Sequence, residues 1–124
     1  MPLEHVNYTV TDPDNTAKVL CDIFGWKIRW QGAAISGGRT VHVGEDDSYV
    51  ALYTPPGSLS DPTDSYIQLG GMNHIGVVVD DIKAVEQKVN DAGFTPHSHG
   101  DYEPGVRFYF DGPDGIEFEV VQYD

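Results

Sequence analysis

The chain has 124 residues, 40% of them apolar and 11% aromatic, enough for one folded domain with a modest core and too apolar for a disordered chain. Twenty Asp+Glu against seven Lys+Arg leave a net charge of −13, which argues against nucleic acid or anionic lipid as a partner. That field suits a small molecule, a metal ion or a cationic ligand, although an acidic surface is most often a solubility feature.

The first segment, LEHVNYTVTD (3–12), opens on a histidine and runs through β-branched and aromatic residues into an acidic turn, the pattern of a strand. Its start lacks the basic, long apolar character of a secretory signal, so a cytoplasmic protein is expected. DNTAKVLCDIFGW follows with Ala17, Leu20, Cys21 and Phe24 at helical spacing and stops at Gly25-Trp26, as a left-handed cap requires. Cys21 is the single cysteine; it excludes an intrachain disulfide and reads as packing. Short strands are predicted near 26–32, 39–44 and 48–54. TPPGSLSDPTDS (54–65), with three prolines, is a linker. A second strand, MNHIGVVVDD (72–81), leads into a helix carrying Ile82, Val85, Val89 and Ala92 and closing at Gly93-Phe94. Strands near 94–99, 105–110 and 116–123 complete the chain, with DGPDG as the last turn. No apolar run approaches the roughly 20 residues that span a bilayer, so no membrane partner is expected.

Laying His5 on His74 aligns the two halves as βαβββ twice, with module 1 at about 1–54, a linker at about 54–70 and module 2 at about 71–124, all within one domain. One histidine at a strand end is more often a hydrogen-bonded structural residue than a ligand. The repeat adds a test. Counting along each module, His5 corresponds to Ala51 on the last strand of the first half, and His74 to Glu119 on the last strand of the second. His5 shares a strand face with Asn7 and Thr9, whereas Val6, Tyr8 and Val10 point toward the helix layer. Glu117 and Glu119 share a face opposite Phe118 and Val120. A carboxylate in mid-strand is costly to bury unless paired or coordinated, while a solvated strand position is its plainer reading. Two histidines and one carboxylate with open coordination positions make a donor set for iron(II) or manganese(II) ahead of nickel(II) or zinc(II).

At these residues, His5, NHIGVVVDD with His74 and PDGIEFEVVQ with Glu119, the chain resembles the vicinal oxygen chelate superfamily of glyoxalases, bleomycin-resistance proteins and extradiol dioxygenases. The resemblance implies an α+β fold: two βαβββ modules in pseudo-twofold arrangement, forming a cupped mixed sheet with helices outside. It also implies metal ligands on the first and last strands of each module. Glyoxalase I and methylmalonyl-CoA epimerase take a fourth ligand where this chain has Ala51, which counts against both. Extradiol dioxygenases and fosfomycin transferases use a His, His, Glu triad, which is retained. The dioxygenases also carry a tyrosine ten residues before the ligand Glu, here Tyr109, whose plainer reading is an aromatic on a half-buried strand between Phe108 and Phe110. His42 shares the chelating face if its strand is regular. His97 and His99 lie near the region of the dioxygenases' general base, and an exposed loop position is the plainer role of each. The fosfomycin transferases would need a basic cluster for the phosphonate; the seven Lys+Arg, Arg29, Arg39 and Arg107 among them, leave that open without supporting it.

The reading is a divalent-metal-dependent enzyme acting on a small oxygen-chelating substrate, with His5, His74 and Glu119 holding the ion and Tyr109 and His42 handling protons or orientation. The competing class is a metal-free, drug-binding protein of the bleomycin-resistance type. A homodimer is expected, with sites built within one chain or across two. Trp26, Trp30, Tyr49 and Tyr53 line a pocket or a dimer contact.

Overall fold

The computed structural model describes all 124 residues, the side chain of Ile35 excepted. It is α+β, with two compact units, Met1–Ser60 and Asp61–Asp124. The first contains β1 (His5–Thr9), α1 (Pro13–Phe24), β2 (Lys27–Ala33), β3 (Arg39–Gly44) and β4 (Tyr49–Thr54); the second contains β5 (His74–Val78), α2 (Ile82–Asp91), β6 (His97–Tyr102), β7 (Gly105–Asp111) and β8 (Glu117–Tyr123). Each forms a four-stranded mixed sheet, in the order β1-β4-β3-β2 and β5-β8-β7-β6. In both, the first strand pairs parallel with the last and the remaining pairings are antiparallel. The βαβββ repeat expected from the sequence is therefore present twice. Among the described residues, no helix is long and apolar enough to cross a membrane.

Both helices begin and end on local chemistry. Asp12 caps α1 by accepting from the Asn15 N–H at 3.1 Å, with Pro13 in the first turn; Asp81 caps α2 by accepting from Ala84 N–H at 3.1 Å. At the end of α1, Gly25 adopts φ 71° and its N–H bonds the Cys21 carbonyl, a single-bond left-handed cap. The end of α2 differs: Ala92 stays right-handed and Gly93 carries the positive φ of 91°. Gly93 N–H then bonds Asn90 O, and Phe94 N–H bonds Val89 O, the two bonds of a Schellman motif.

That motif explains why β6 begins at His97 rather than near 94: the Phe94 N–H is spent on the helix and Pro96 has none to donate. β2, β3, β4, β7 and β8 fall within a residue of their predicted bounds, while β1 and β5 are shorter than the 3–12 and 72–81 segments that contain them. The predicted linker also contains structure, a 3-10 turn at Ser65–Ile67 capped by Asp64.

The apolar faces pack as the alternation dictates. α1 lies on β3 and β4 and buries Thr16, Ala17, Leu20 and Ile23 with Val41, Val43, Val50 and Leu52. Cys21 and Phe24, expected in that core, are half-exposed, because the buried stripe runs through Ile23. α2 lies on β7 and β8; Val89 is buried there with Phe108, Phe110, Phe118 and Val120, the rings of Phe110 and Phe118 stacked at 5.2 Å. Ile82 and Val85 are half-buried and Ala92 is exposed. Tyr8 of β1 and Val10 just after it are buried as expected, but Val6 is exposed. Each sheet is thus left with a second, helix-free face, and the chemistry-bearing side chains lie there.

Candidate functional site

In the second unit the register lines up the open face strand by strand. Gly76, Glu119, Tyr109 and His97 occupy one row across β5, β8, β7 and β6; His74, Glu117 and Asp111 occupy the next. His74 Nε2 is 3.5 Å from Glu119 Oε2, and its Nδ1 is 3.6 Å from Glu117 Oε1. Two donors on one ion at about 2.1 Å each lie about 3.0–3.5 Å apart at right or tetrahedral angles. The pair therefore fits a shared divalent ion.

Glu119 is the best-supported group on this face. Its side chain is 16% exposed, which demands partners, and it has them. The Tyr109 hydroxyl donates to Oε2 at 2.6 Å and Arg107 Nη1 donates to Oε1 at 3.3 Å. Holding its proton against the carboxylate, with burial adding to the effect, pushes the Tyr109 hydroxyl up to about 12. Arg107 is itself 13% exposed, lies over the Tyr102 ring at 4.7 Å and has a buried Nε without a partner. Glu119 can accept a cation, but it is already hydrogen-bonded without one.

The first unit repeats the geometry with different chemistry. His5 pairs with Tyr49, Ala51 lies between Asn7 and His42, and His42 pairs with Trp30. Superposing the ladders makes Tyr49 the counterpart of Glu117, Ala51 of Glu119, His42 of Tyr109 and Trp30 of His97. This open face is a row of rings: His5 and His42 each stack on Tyr49, at 4.8 and 4.7 Å, and Trp30 meets His42 at 5.3 Å. Arg29 lies 4.4 Å over Tyr49, and Glu4 accepts from His5 Nδ1 at 2.9 Å and from the Tyr49 hydroxyl at 3.3 Å. Burial lowers the His42 pKa from the ordinary 6.5, with the charge of His5 acting the same way, so its neutral imidazole is the form at neutral pH.

His74, Glu119 and Tyr109 are thus brought into contact within the second unit, and His5 and His42 meet around Tyr49 within the first. Of the two histidines left open by the sequence, His97 lies on the open face, stacked at 6.3 Å on Tyr109, and its Nε2 is 3.4 Å from Asp111. His99 turns to the helix side, stacking on Phe108 and pairing with Glu86 of α2. Two residues apart on a regular strand they would share a face. A bulge with Ser98 at φ 55° inserts one residue between His97 and Gly100 and separates them. Sequence reasoning did not find the Arg107 contact, nor Tyr66, whose hydroxyl donates to Glu117 at 3.1 Å. The position two residues before Tyr109 was a usable signal for Arg107, since it must share that face.

Solved structures share this fold. One is a glyoxylase/bleomycin resistance protein/dioxygenase domain from Frankia sp. EAN1pec, with TM-score 0.84 and 20% identity over 100% of this chain and 98% of that one. Another is TnmS3, an antibiotic binding protein from Streptomyces sp. CB03234, at 0.77 and 16% over 100% and 97%. A third is the fosfomycin resistance protein FosX from Mesorhizobium loti, at 0.69 and 19% over 97% and 90%. At these identities the likeness is one of fold. No curated protein sequence matches the chain significantly. The family model described as Glyoxalase/Bleomycin resistance protein/Dioxygenase superfamily matches residues 3–120, nearly the whole chain, and the protein belongs to that superfamily.

Proposed function

We propose that the protein is a divalent-metal-dependent enzyme acting on a small substrate with two adjacent oxygen atoms, with His5, His74 and Glu119 as the metal ligands. The carrying observation is the 3.5 Å separation of His74 Nε2 and Glu119 Oε2, on neighbouring strands, with Tyr109 donating to the same carboxylate. An ion held there, iron(II) or manganese(II) before nickel(II) or zinc(II), would act as a Lewis acid on the substrate oxygens. Tyr109 keeps its proton through neutral pH and positions it at Glu119 Oε2. His42, neutral at that pH, is the base available on the other unit's open face. In this reading the protein is a cytoplasmic homodimer.

A second reading, a metal-free small-molecule or drug-binding protein, draws on a specific observation: Arg107 and Tyr109 satisfy Glu119 without an ion. The antibiotic-binding and fosfomycin-resistance proteins of the same fold make a small-molecule ligand common to both readings. Metal content by elemental mass spectrometry, on protein loaded anaerobically with iron(II) or manganese(II), separates them. The metal-dependent reading expects one equivalent less in His74→Ala and in Glu119→Gln than in wild type. Equal content in all three would discard it in favour of the binding protein.

A further inference from the structure

We propose that the second unit carries a further divalent-cation site made by His97, Asp111 and Glu117, separate from the His5, His74 and Glu119 set and not dependent on it. The three residues begin β6, end β7 and begin β8, at one end of the open face. One donor atom from each lies within 4.8 Å of the other two. His97 Nε2 to Asp111 Oδ1 is 3.4 Å, long for a hydrogen bond and close to the separation of two ligands on one ion.

The supporting contacts suit a ligand role. His97 Nδ1 is 2.8 Å from Ser98 Oγ, and when it donates its proton there the Nε2 lone pair faces Asp111. Tyr66 donates to Glu117 Oε1 and orients that carboxylate. The charge balance points the same way. Glu119 has Arg107 beside it, but among the described residues no lysine or arginine pairs with Asp111 or Glu117; their only basic neighbours are His97 and His74. Two adjacent carboxylates thus lack the cation that the third possesses. His97 and Asp111 are 38% and 60% exposed, so an ion can enter and the side chains can close the last few tenths of an ångström around it.

The chemistry selects the ion. One imidazole with two carboxylates is a donor set for manganese(II) or zinc(II), with water in the remaining positions, whereas calcium prefers oxygen alone. The corresponding positions in the first unit are Trp30, Gly44 and Tyr49, which lack both the imidazole and the carboxylates. The site therefore belongs to one half of the repeat.

Manganese(II) titration followed by electron paramagnetic resonance counts the bound ions. Glu117 is left intact because it also neighbours His74. The double variant His97→Ala/Asp111→Asn should bind one equivalent less than wild type, and its circular-dichroism spectrum should stay that of a folded chain, because Asp111 is exposed and His97 is only half-buried. His74→Ala/Glu119→Gln should retain the equivalent that the first variant loses. The two losses are independent, so failure of either site is seen without the other. Zinc(II) should also shift the His97 ring resonances in the nuclear magnetic resonance spectrum of wild type, and leave them in place in Asp111→Asn. Equal manganese binding in wild type and His97→Ala/Asp111→Asn, or unmoved His97 resonances at zinc saturation, would overturn the proposal.

Discussion

Glu119 and Tyr109 show how one pairing sets the chemistry of a face. A carboxylate in mid-strand needs donors, and the register places Tyr109 directly across from it. The tyrosine is raised from 10 to about 12, so the folded state keeps a proton that the unfolded chain gives up. The stabilisation is complete below about pH 10 and is lost as pH rises through about 12, because there the unfolded state binds fewer protons. Tyrosinate absorbance followed against pH should show one late-titrating tyrosine in wild type, absent in Tyr109→Phe. In Glu119→Gln it should titrate nearer 10. A late tyrosine that survives Glu119→Gln would mean that burial, not the carboxylate, sets its pKa. His42 reaches its lowered pKa differently, by burial in the counterpart position, where Ala51 offers no acceptor.

Elements in the two halves begin alike and end differently. Asp12 and Asp81 do equivalent work, and replacing either with Ala should cost about 1 kcal/mol in chemical denaturation. Gly25→Ala should cost a similar amount, roughly 1 kcal/mol, and for a purely conformational reason, since a Cβ there meets no atom within 4 Å. An unchanged midpoint in Gly25→Ala would show that the left-handed cap contributes nothing. Both glycines were legible as helix stops, but the Schellman bonds that delay β6 were not, because they depend on which carbonyls of α2 remain free. The Ser98 bulge was hidden for a related reason: alternation predicts one face for His97 and His99, and a single left-handed serine reverses it.

For the whole chain the dominant physical fact is its charge. With a net of −13, self-repulsion opposes compaction, and the Asp111–Glu117 neighbourhood is a local instance of it. Raising salt from very low ionic strength to about 0.15 M, where the screening length is about 8 Å, should raise the thermal midpoint. A midpoint that stays level or falls would mean that attractive pairs such as Arg39–Asp14 and Lys18–Asp22 outweigh the repulsion.

The repeat, the fold class and the family were legible in the sequence, which also nominated His5, His74, Glu119, Tyr109 and His42 as candidates. Strand alternation and helical spacing are local periodicities, and a duplicated pattern states each of them twice. Tertiary structure alone decided which groups touch. Arg107 reaches Glu119, Tyr66 reaches Glu117 across 51 positions, and His97 meets Asp111 while His99 turns away. Those contacts rest on strand register and a bulge, set by hydrogen bonds between strands, and on where the turn inside the linker meets β8, none of which local periodicity encodes.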